Sequence, residues 1–326
     1  MRVLITGVAG FIGYHLAKRL LAEGHRVSGL DNLSPYYDVE LKHARLEHLR
    51  GEFGFMPAIC DIADRDALDR LVVGAGAEIV VHLAAQAGVR YSLTNPAAYV
   101  TSNLVGFANL LECCRNHPPR HLLYASSSSV YGNGKTLPSR EGDRTDMPLS
   151  IYAATKRANE GMAYSYGHLF GIPATGLRFF TVYGEWGRPD MALFSFAQAI
   201  LSNRPIAVYN DGKMARDFTY VDDAVEAVRR LFDREPQASG ASAPHRVVNI
   251  ASGRRVPLLD FIAALEHALG RSAEKRFGEM QAGDVTETWA DTSLLAELTG
   301  FTPRTKVSEG IARFAEWFKS WHDRAC

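Results

Sequence analysis

RVLITGVAGFIG, residues 2–13, decides the fold. Arg2–Thr6 is a short run of β-type residues. Gly7, Gly10 and Gly13 follow at GxxGxxG spacing, and Phe11–Glu23 then shows helical periodicity up to Gly24. Strand, tight glycine turn and helix in that order form a dinucleotide site. Glycine permits the turn and the close approach of a pyrophosphate, whose charge is met by the helix N-terminus at Phe11 and Ile12. A second strand, Arg26–Leu30, leads to Asp31, 18 residues past Gly13. A carboxylate there accepts hydrogen bonds from both adenosine ribose hydroxyls and repels a 2′-phosphate. No Lys or Arg follows at once, so NAD is expected rather than NADP. Asp61 ends the third strand, where it either meets the adenine edge or caps the next helix.

The alternation continues outward. Strands are expected at Phe55–Ile59, Ile79–Leu83, Leu122–Ser126 and Ala174–Phe179, with helices at Val39–Arg50, Asp64–Val73, Pro96–Asn116 and Tyr152–Phe170. This βαβα rhythm predicts an α/β fold: a doubly wound parallel sheet with helices on both faces. After Phe180 the rhythm loosens. Residues 1–180 are read as the cofactor domain and 181–326 mainly as a smaller α/β substrate domain, with segments around 216–250 returning to the first sheet. Residues 233–244 (DREPQASGASAP) read as a flexible loop. Val307–Trp321 reads as a terminal amphipathic helix, with Ile311, Phe314, Trp317, Phe318 and Trp321 on one face.

Of 326 residues, 36 are Lys or Arg and 36 are Asp or Glu, so the formal net charge is zero; 47% are hydrophobic. That balance argues against nucleic-acid or membrane-surface partners. No apolar run approaches the ~20 residues of a bilayer span. Thr6, Gly7 and Gly10 break up any N-terminal signal pattern. The four cysteines, Cys60, Cys113, Cys114 and Cys326, suit neither a disulfide framework nor a metal site. His117 and His121 have two prolines between them and do not form a helical ligand pair. A cytoplasmic protein with reduced thiols and no metal is expected.

The spacing Tyr-x-x-x-Lys puts a phenol and an ammonium on one helical face. Lowering a tyrosine pKa from ~10 to ~7 needs roughly 4 kcal/mol, within reach of a nearby Lys and a nicotinamide cation. The spacing occurs four times: Tyr14/Lys18, Tyr131/Lys135, Tyr152/Lys156 and Tyr209/Lys213. The second and fourth span turn residues, and the first lies on the opening helix, where packing is the simpler role. Tyr152/Lys156 lies in YAATKRANE, a strong helix former that follows the fifth strand and its serine run, Ser126–Ser129. Ligands gather at the carboxyl ends of strands in a doubly wound sheet. Tyr152 is therefore the expected acid/base, with Lys156 as its electrostatic partner and Ser127 orienting the reacting hydroxyl.

GVAGFIG, DN at 31–32, SSSSVYG (126–132), SIYAATKRANE (150–160), LRFFTVYGEWGRPDMALF (177–194) and RDFTYVDD (216–223) together resemble the extended short-chain dehydrogenases/reductases. More narrowly, they resemble the NAD-dependent sugar-nucleotide epimerases and dehydratases, over nearly the whole chain. The resemblance implies tightly bound NAD that is regenerated in each turnover. It places Asn32, Asp61, Ile62, Leu83, Ala84, Ala85, Gln86, Asn103, Ser126 and Phe179 at the cofactor beside the glycine turn, Tyr152 and Lys156. DNLSPYYDVELKHARL (31–46) and VRYSLTNPAAYVTSNLVGF (89–107) point within the family to members acting on UDP-glucuronate. These interconvert it with UDP-galacturonate through a 4-keto sugar. Carried onto this chain, Ser127 would hold the 4-oxygen, and Ser128, Ser129 and Thr181 would meet the sugar carboxylate, with Arg188 close by. Arg90 and Arg216 would pair with the pyrophosphate, Asp284 would contact the uridine ribose, and Val208 and Tyr209 complete the substrate side.

Related decarboxylases carry a Glu within the serine loop, and dehydratases an Asp-Glu pair. Here Ser127, Ser128 and Ser129 carry no carboxylate, which favours epimerisation alone. The alternatives are a 4-epimerase of neutral UDP-hexoses, a UDP-glucuronate decarboxylase and a non-catalytic NAD-binding regulator. The resemblance also implies a homodimer through helices Pro96–Asn116 and Tyr152–Phe170. The apolar positions noted on them are Leu104, Phe107, Leu110 and Leu111, and Ala163, Tyr166 and Phe170.

Overall fold

The computed structural model describes residues 1–325 except 135, 241 and 282. Cys326 and Lys135 of the second Tyr/Lys pair therefore lie outside the described residues. The strands are β1 (Arg2–Thr6), β2 (Arg26–Asp31), β3 (Ala58–Ile59), β4 (Ile79–His82), β5 (His121–Ser127), β6 (Ala174–Phe179), β7 (Thr181–Tyr183), β8 (Ile206–Tyr209), β9 (Ala215–Tyr220), β10 (His245–Ile250), β11 (Arg255–Pro257) and β12 (Lys275–Gly278). Seven form a parallel sheet in the order β10-β6-β5-β4-β1-β2-β3. The strand order reverses between β1 and β4, which makes their carboxyl ends the crevice of a doubly wound sheet. Leu4, Ile5, Val80, Val81, Leu122 and Leu123 are buried along these strands, as both-face coverage requires.

The expected helices form, with two changes of detail. The strand expected at Phe55–Ile59 shrinks to Ala58–Ile59. Gly54 ends the preceding helix, Glu40–Phe53, in a left-handed turn, and Pro57 has no N–H to give a ladder. Phe55 instead drops into the core against Gly29, where a Cβ would lie 2.9 Å from its ring. The Pro96–Asn116 helix contains a π-helical stretch, Val100–Val105. Apolar periodicity does not reveal such a bulge, and bulges of this kind are frequent at functional sites.

Beyond Phe180, β7, β9 and β11 make a small mixed sheet, and β8 pairs with β12. β10 returns to the edge of the large sheet. The helix Val221–Leu231 also lies on that side, where Arg19–Glu226 and Arg229–Glu23 ion pairs tie it to the first helix. The described residues of 233–244 carry no named helix or strand. The terminal helix, Val307–Ala325, buries Ile311, Phe314 and Phe318 and sets Trp317 and Trp321 against Trp186. Cys113 and Cys114 are buried, and Cys60, Cys113 and Cys114 are free thiols. Among the described residues, no helix is long and apolar enough to cross a membrane.

Candidate active site

A cavity of about 740 Å³ opens at the carboxyl ends of the parallel strands, a volume suited to a bound small molecule. Gly7, Gly10 and Gly13 form one wall. Gly7 has φ +78°, and a Cβ on it would lie 2.6 Å from the Ala84 nitrogen. A Cβ on Gly13 would lie 2.1 Å from the Gly7 carbonyl. The turn and the helix behind it thus fit only if these positions are glycine. The helix Phe11–Ala22 begins with no side-chain cap and no acidic residue in its first turn. That end, lined by Phe11 and Ile12, is open to an anion.

Asp31 is buried beside this turn. Its carboxylate accepts N–H bonds from Ala9 (3.0 Å) and Leu33 (2.9 Å). It therefore caps a turn and lines the cavity at once. Asn32 also lines the cavity and donates to Asp61 at 2.7 Å. Asp61 takes the Ala63 N–H, while the side-chain cap of the next helix is Asp64. Asp61 itself sits behind the wall formed by Asn32, Cys60 and Ile62. Leu83, Ala84, Ala85 and Gln86 form the floor after β4. Asn103 is fully buried in the π-helical stretch. It accepts from the Gln86 N–H (2.8 Å) and donates to the Gln86 carbonyl (3.0 Å) and Thr155 hydroxyl (3.0 Å). The structure thus uses Asn103 to clamp the floor loop.

Ser150 caps the helix Ile151–Phe170, accepting the Ala153 N–H at 3.1 Å. Tyr152 and Lys156 stand one turn apart on the face toward the cavity, with Ser126–Ser129 opposite. The Lys156 ammonium is buried and donates to the Ala125 carbonyl at 2.9 Å, and burial pushes its pKa down to about 8. Burial raises the Tyr152 pKa, while the Ser127 hydroxyl and the Arg188 guanidinium pull the other way. The Lys156 ammonium points to the strand end at Ala125, one helical turn from the phenol. Ser127 donates to the Ser129 hydroxyl at 3.1 Å. Ser126 turns away to Glu160 at 2.6 Å, and Glu160 is itself held by Arg178 at 2.8 and 2.9 Å.

The competing Tyr/Lys pairs lie elsewhere. Tyr14 packs in the core with its hydroxyl 3.2 Å from His48, and Lys18 pairs with Glu52. Lys213 is exposed beside Asp211, across the turn after Tyr209.

On the substrate side, Phe179, Thr181, Arg90, Arg188 and Asp284 line the cavity. Arg188 holds Asp190 through Nε (3.0 Å) and Nη2 (2.6 Å), and Tyr36 donates to the same carboxylate at 2.9 Å. Burial alone would raise the Asp190 pKa, but the Arg188 guanidinium holds it below its ordinary value. Arg216 is paired with Asp284 at 2.8 Å, just outside the lining, and Arg90 lies over the Tyr209 ring at 5.2 Å. Val208 is fully buried in the core, because the alternation of β8 turns it away from the cavity.

Sequence reasoning missed several lining residues. Tyr36, Tyr37 and Lys42 come from the 32–42 stretch, and Asp190 follows Arg188. Lys42 matters most. It is eleven residues beyond Asp31 in the chain but folds back to donate to Ser34 O at 2.8 Å, over the Tyr37 ring. A cation near Asp31 was therefore present, though not adjacent in sequence. The glycine cradle, the uncapped helix and the Asp31 carboxylate all fit a dinucleotide. Among the described residues no group of three or more His, Cys, Asp or Glu could hold a metal ion.

The sequence pattern of the NAD dependent epimerase/dehydratase family matches residues 3–251. A probable UDP-glucuronate 4-epimerase of Rhizobium meliloti is 50% identical over 337 residues, covering 100% of this chain and 99% of the relative. The Bacillus cereus UDP-glucuronic acid 4-epimerase, solved with UDP-glucuronic acid and NAD, superposes with a TM-score of 0.90 at 33% identity, over 98% of this chain and 100% of that one. A Thermotoga maritima UDP-glucose 4-epimerase with UDP-glucose gives 0.88 at 28% identity, over 99% and 100%. A glycine cradle, a Tyr/Lys helix and a serine-lined strand end meet in one crevice, and the match runs through all three: the chain belongs to the NAD-dependent epimerase/dehydratase family.

Proposed function

We propose that the protein interconverts UDP-glucuronate and UDP-galacturonate by 4-epimerisation. The observation that carries this reading is the serine-lined wall opposite Tyr152. It holds hydroxyls and no carboxylate, and Arg188 and Thr181 line the same cavity. An anionic sugar finds donors at that wall and no carboxylate in it, and Asp190 is already paired with Arg188. The Rhizobium and Bacillus relatives, named for UDP-glucuronate, support the same substrate.

Bound NAD supplies the acceptor and donor of the C4 hydride. Gly7, Gly10, Gly13 and the Phe11–Ile12 backbone would hold its pyrophosphate, and Asp31 its adenosine ribose. Tyr152 takes the proton of the 4-hydroxyl, with Ser127 donating to the same oxygen and Lys156 opposing the charge left on the phenol. Ser128, Ser129, Thr181 and Arg188 hold the carboxylate. The 4-keto sugar then turns to present the opposite face of C4, and Tyr152 returns the proton to the 4-oxygen. The serine wall offers no extra acid or base for decarboxylation. Residues 1–180 with β10 serve the cofactor, and most of 181–326 serves the nucleotide sugar.

Proton NMR of the protein incubated with UDP-glucuronate is expected to show UDP-galacturonate. UDP-pentose as the main product would overturn the reading. So would preferential turnover of UDP-glucose in competition, which would favour the neutral-hexose alternative represented by the Thermotoga relative. Tyr152→Phe serves as the control and loses turnover by about 10²–10⁴-fold.

The protein is further proposed to pair as a homodimer through the Pro96–Asn116 and Ile151–Phe170 helices. Phe107, Leu110, Leu111 and Ala163 cannot supply that contact, because they are buried within the chain's own core. Val100, Val105, Leu169 and Phe170 are exposed on these helices instead.

A further inference from the structure

Arg45 is the largest fully buried side chain of the described residues and makes no ion pair among them. Burying an unpaired guanidinium costs several kcal/mol unless its donors are met. Here they are met from three separate segments. Nη1 donates to the Ala9 carbonyl (2.8 Å) in the glycine turn and to the Tyr37 hydroxyl (2.8 Å). Nε and Nη2 donate to the Trp186 carbonyl at 3.2 and 2.5 Å, and Nη2 also reaches Gly187 at 3.3 Å.

Both ends of this brace belong to the site. Ala9 gives its N–H to Asp31 (3.0 Å) while its carbonyl takes Arg45, so one residue joins the ribose acceptor to the guanidinium. At the other end Trp186 has φ +58°, a left-handed conformation that costs a bulky residue free energy. Strain of this kind persists where surrounding contacts hold it. His15 and Tyr220 fix the preceding Glu185 by its carbonyl and carboxylate, and Trp317 and Trp321 hold the indole. The Trp186 carbonyl is left to Arg45. Two residues further on, Arg188 enters the cavity and grips Asp190.

We propose that Arg45 is a positioning residue that keeps the Trp186–Gly187 turn in its left-handed form, thereby aiming Arg188, and ties that turn to the glycine turn that receives the cofactor. Order at the nucleotide end and at the sugar-recognising arginine then rises and falls together. The part concerning the sugar rests on the proposed function; the part concerning the cofactor turn does not.

The test uses the full chain with Arg45→Lys and Arg45→Gln, alone and combined with Arg188→Gln. Four quantities are read: NAD released per protomer on acid denaturation, the thermal midpoint, and kcat and KM for UDP-glucuronate. Arg45→Gln is expected to retain at most about half the NAD of the parent. Its KM is expected to rise about tenfold, with kcat changed by less than about threefold. Arg45→Lys should recover part of both, since a point charge reaches fewer of the acceptors. In the Arg188→Gln background, Arg45→Lys should change KM by less than about twofold, because the residue through which it acts is already gone. An equal KM increase in both backgrounds would overturn the proposal, as would unchanged NAD retention. A lowered thermal midpoint with unaltered KM and NAD would also overturn it, leaving Arg45 merely structural. If Arg45→Gln does not fold, Arg45→Lys carries the same comparisons. Should the parent not turn over UDP-glucuronate, the proposed function fails, while the NAD measurement still tests the brace.

Discussion

Lys156 shows how a single residue's chemistry depends on where the chain places it. Its spacing from Tyr152 is written in the sequence, but its burial is not. In the folded state its pKa is about 8, against ~10.4 for an unfolded lysine. Below pH 8 both states are protonated, and the fold bears the full cost of a buried ammonium. Between about 8 and 10.4 the unfolded state binds more protons, so stability rises with pH. Lys156→Met should therefore stabilise the protein by roughly 1–3 kcal/mol at pH 7, a gain that fades by about pH 10.5. Urea denaturation at the two pH values checks this, and a gap of constant size would contradict it. The Tyr152, Ser127 and glycine positions were legible because each depends on local spacing. Lys42 was not, because its approach to Asp31 runs through a loop. Asn103 was placed at the cofactor by resemblance, but its clamp on Gln86 was not legible, because it arises from a π-helical turn that leaves no periodic mark.

Among the elements, the Ile151–Phe170 helix carries the most. Its stripe Tyr152, Lys156 and Glu160 repeats at four-residue spacing, so one helix face holds both the reacting phenol and a structural carboxylate. Glu160 is buried, bridged to Arg178 and accepting from Ser126, and Arg178 lies over the Tyr131 ring at 4.8 Å. Removing one partner strands the other charge. Glu160→Leu is expected to cost about 3–5 kcal/mol, and Glu160→Gln less, in equilibrium denaturation. A loss under about 1 kcal/mol for the Leu variant would show that Arg178 finds water or another acceptor. The helix was readable from its composition to within one residue, its start at Ile151 being set by the Ser150 cap. Its partner Arg178 was not, since β5 and β6 become neighbours only in the sheet. The short β3 is the converse case. Apolar residues at 55–59 suggested a full strand, but Pro57 and the burial of Phe55 left only two paired residues.

For the whole molecule, the zero net charge concealed a charged cleft. Arg188, Arg90, Lys42 and Lys156 line it, beside Asp31, Asp190 and Asp284. The exposed apolar residues on its helices carry the proposed dimer. Sedimentation at micromolar concentration should give twice the chain mass, and Val105→Glu with Leu169→Glu should halve it. A parent that sediments as a monomer would contradict the dimer.

The sequence by itself determined the strand–glycine turn–helix, the parallel alternation and the Tyr152/Lys156 helix. Those features depend on backbone sterics and on periodicity within a few residues. Only the tertiary structure decided that Val208 faces the core, that Arg216 pairs with Asp284, and that Arg45 joins the glycine turn to the turn bearing Arg188. Those outcomes depend on which distant segments meet, and a buried charge takes its partners from whatever the fold brings within hydrogen-bonding reach.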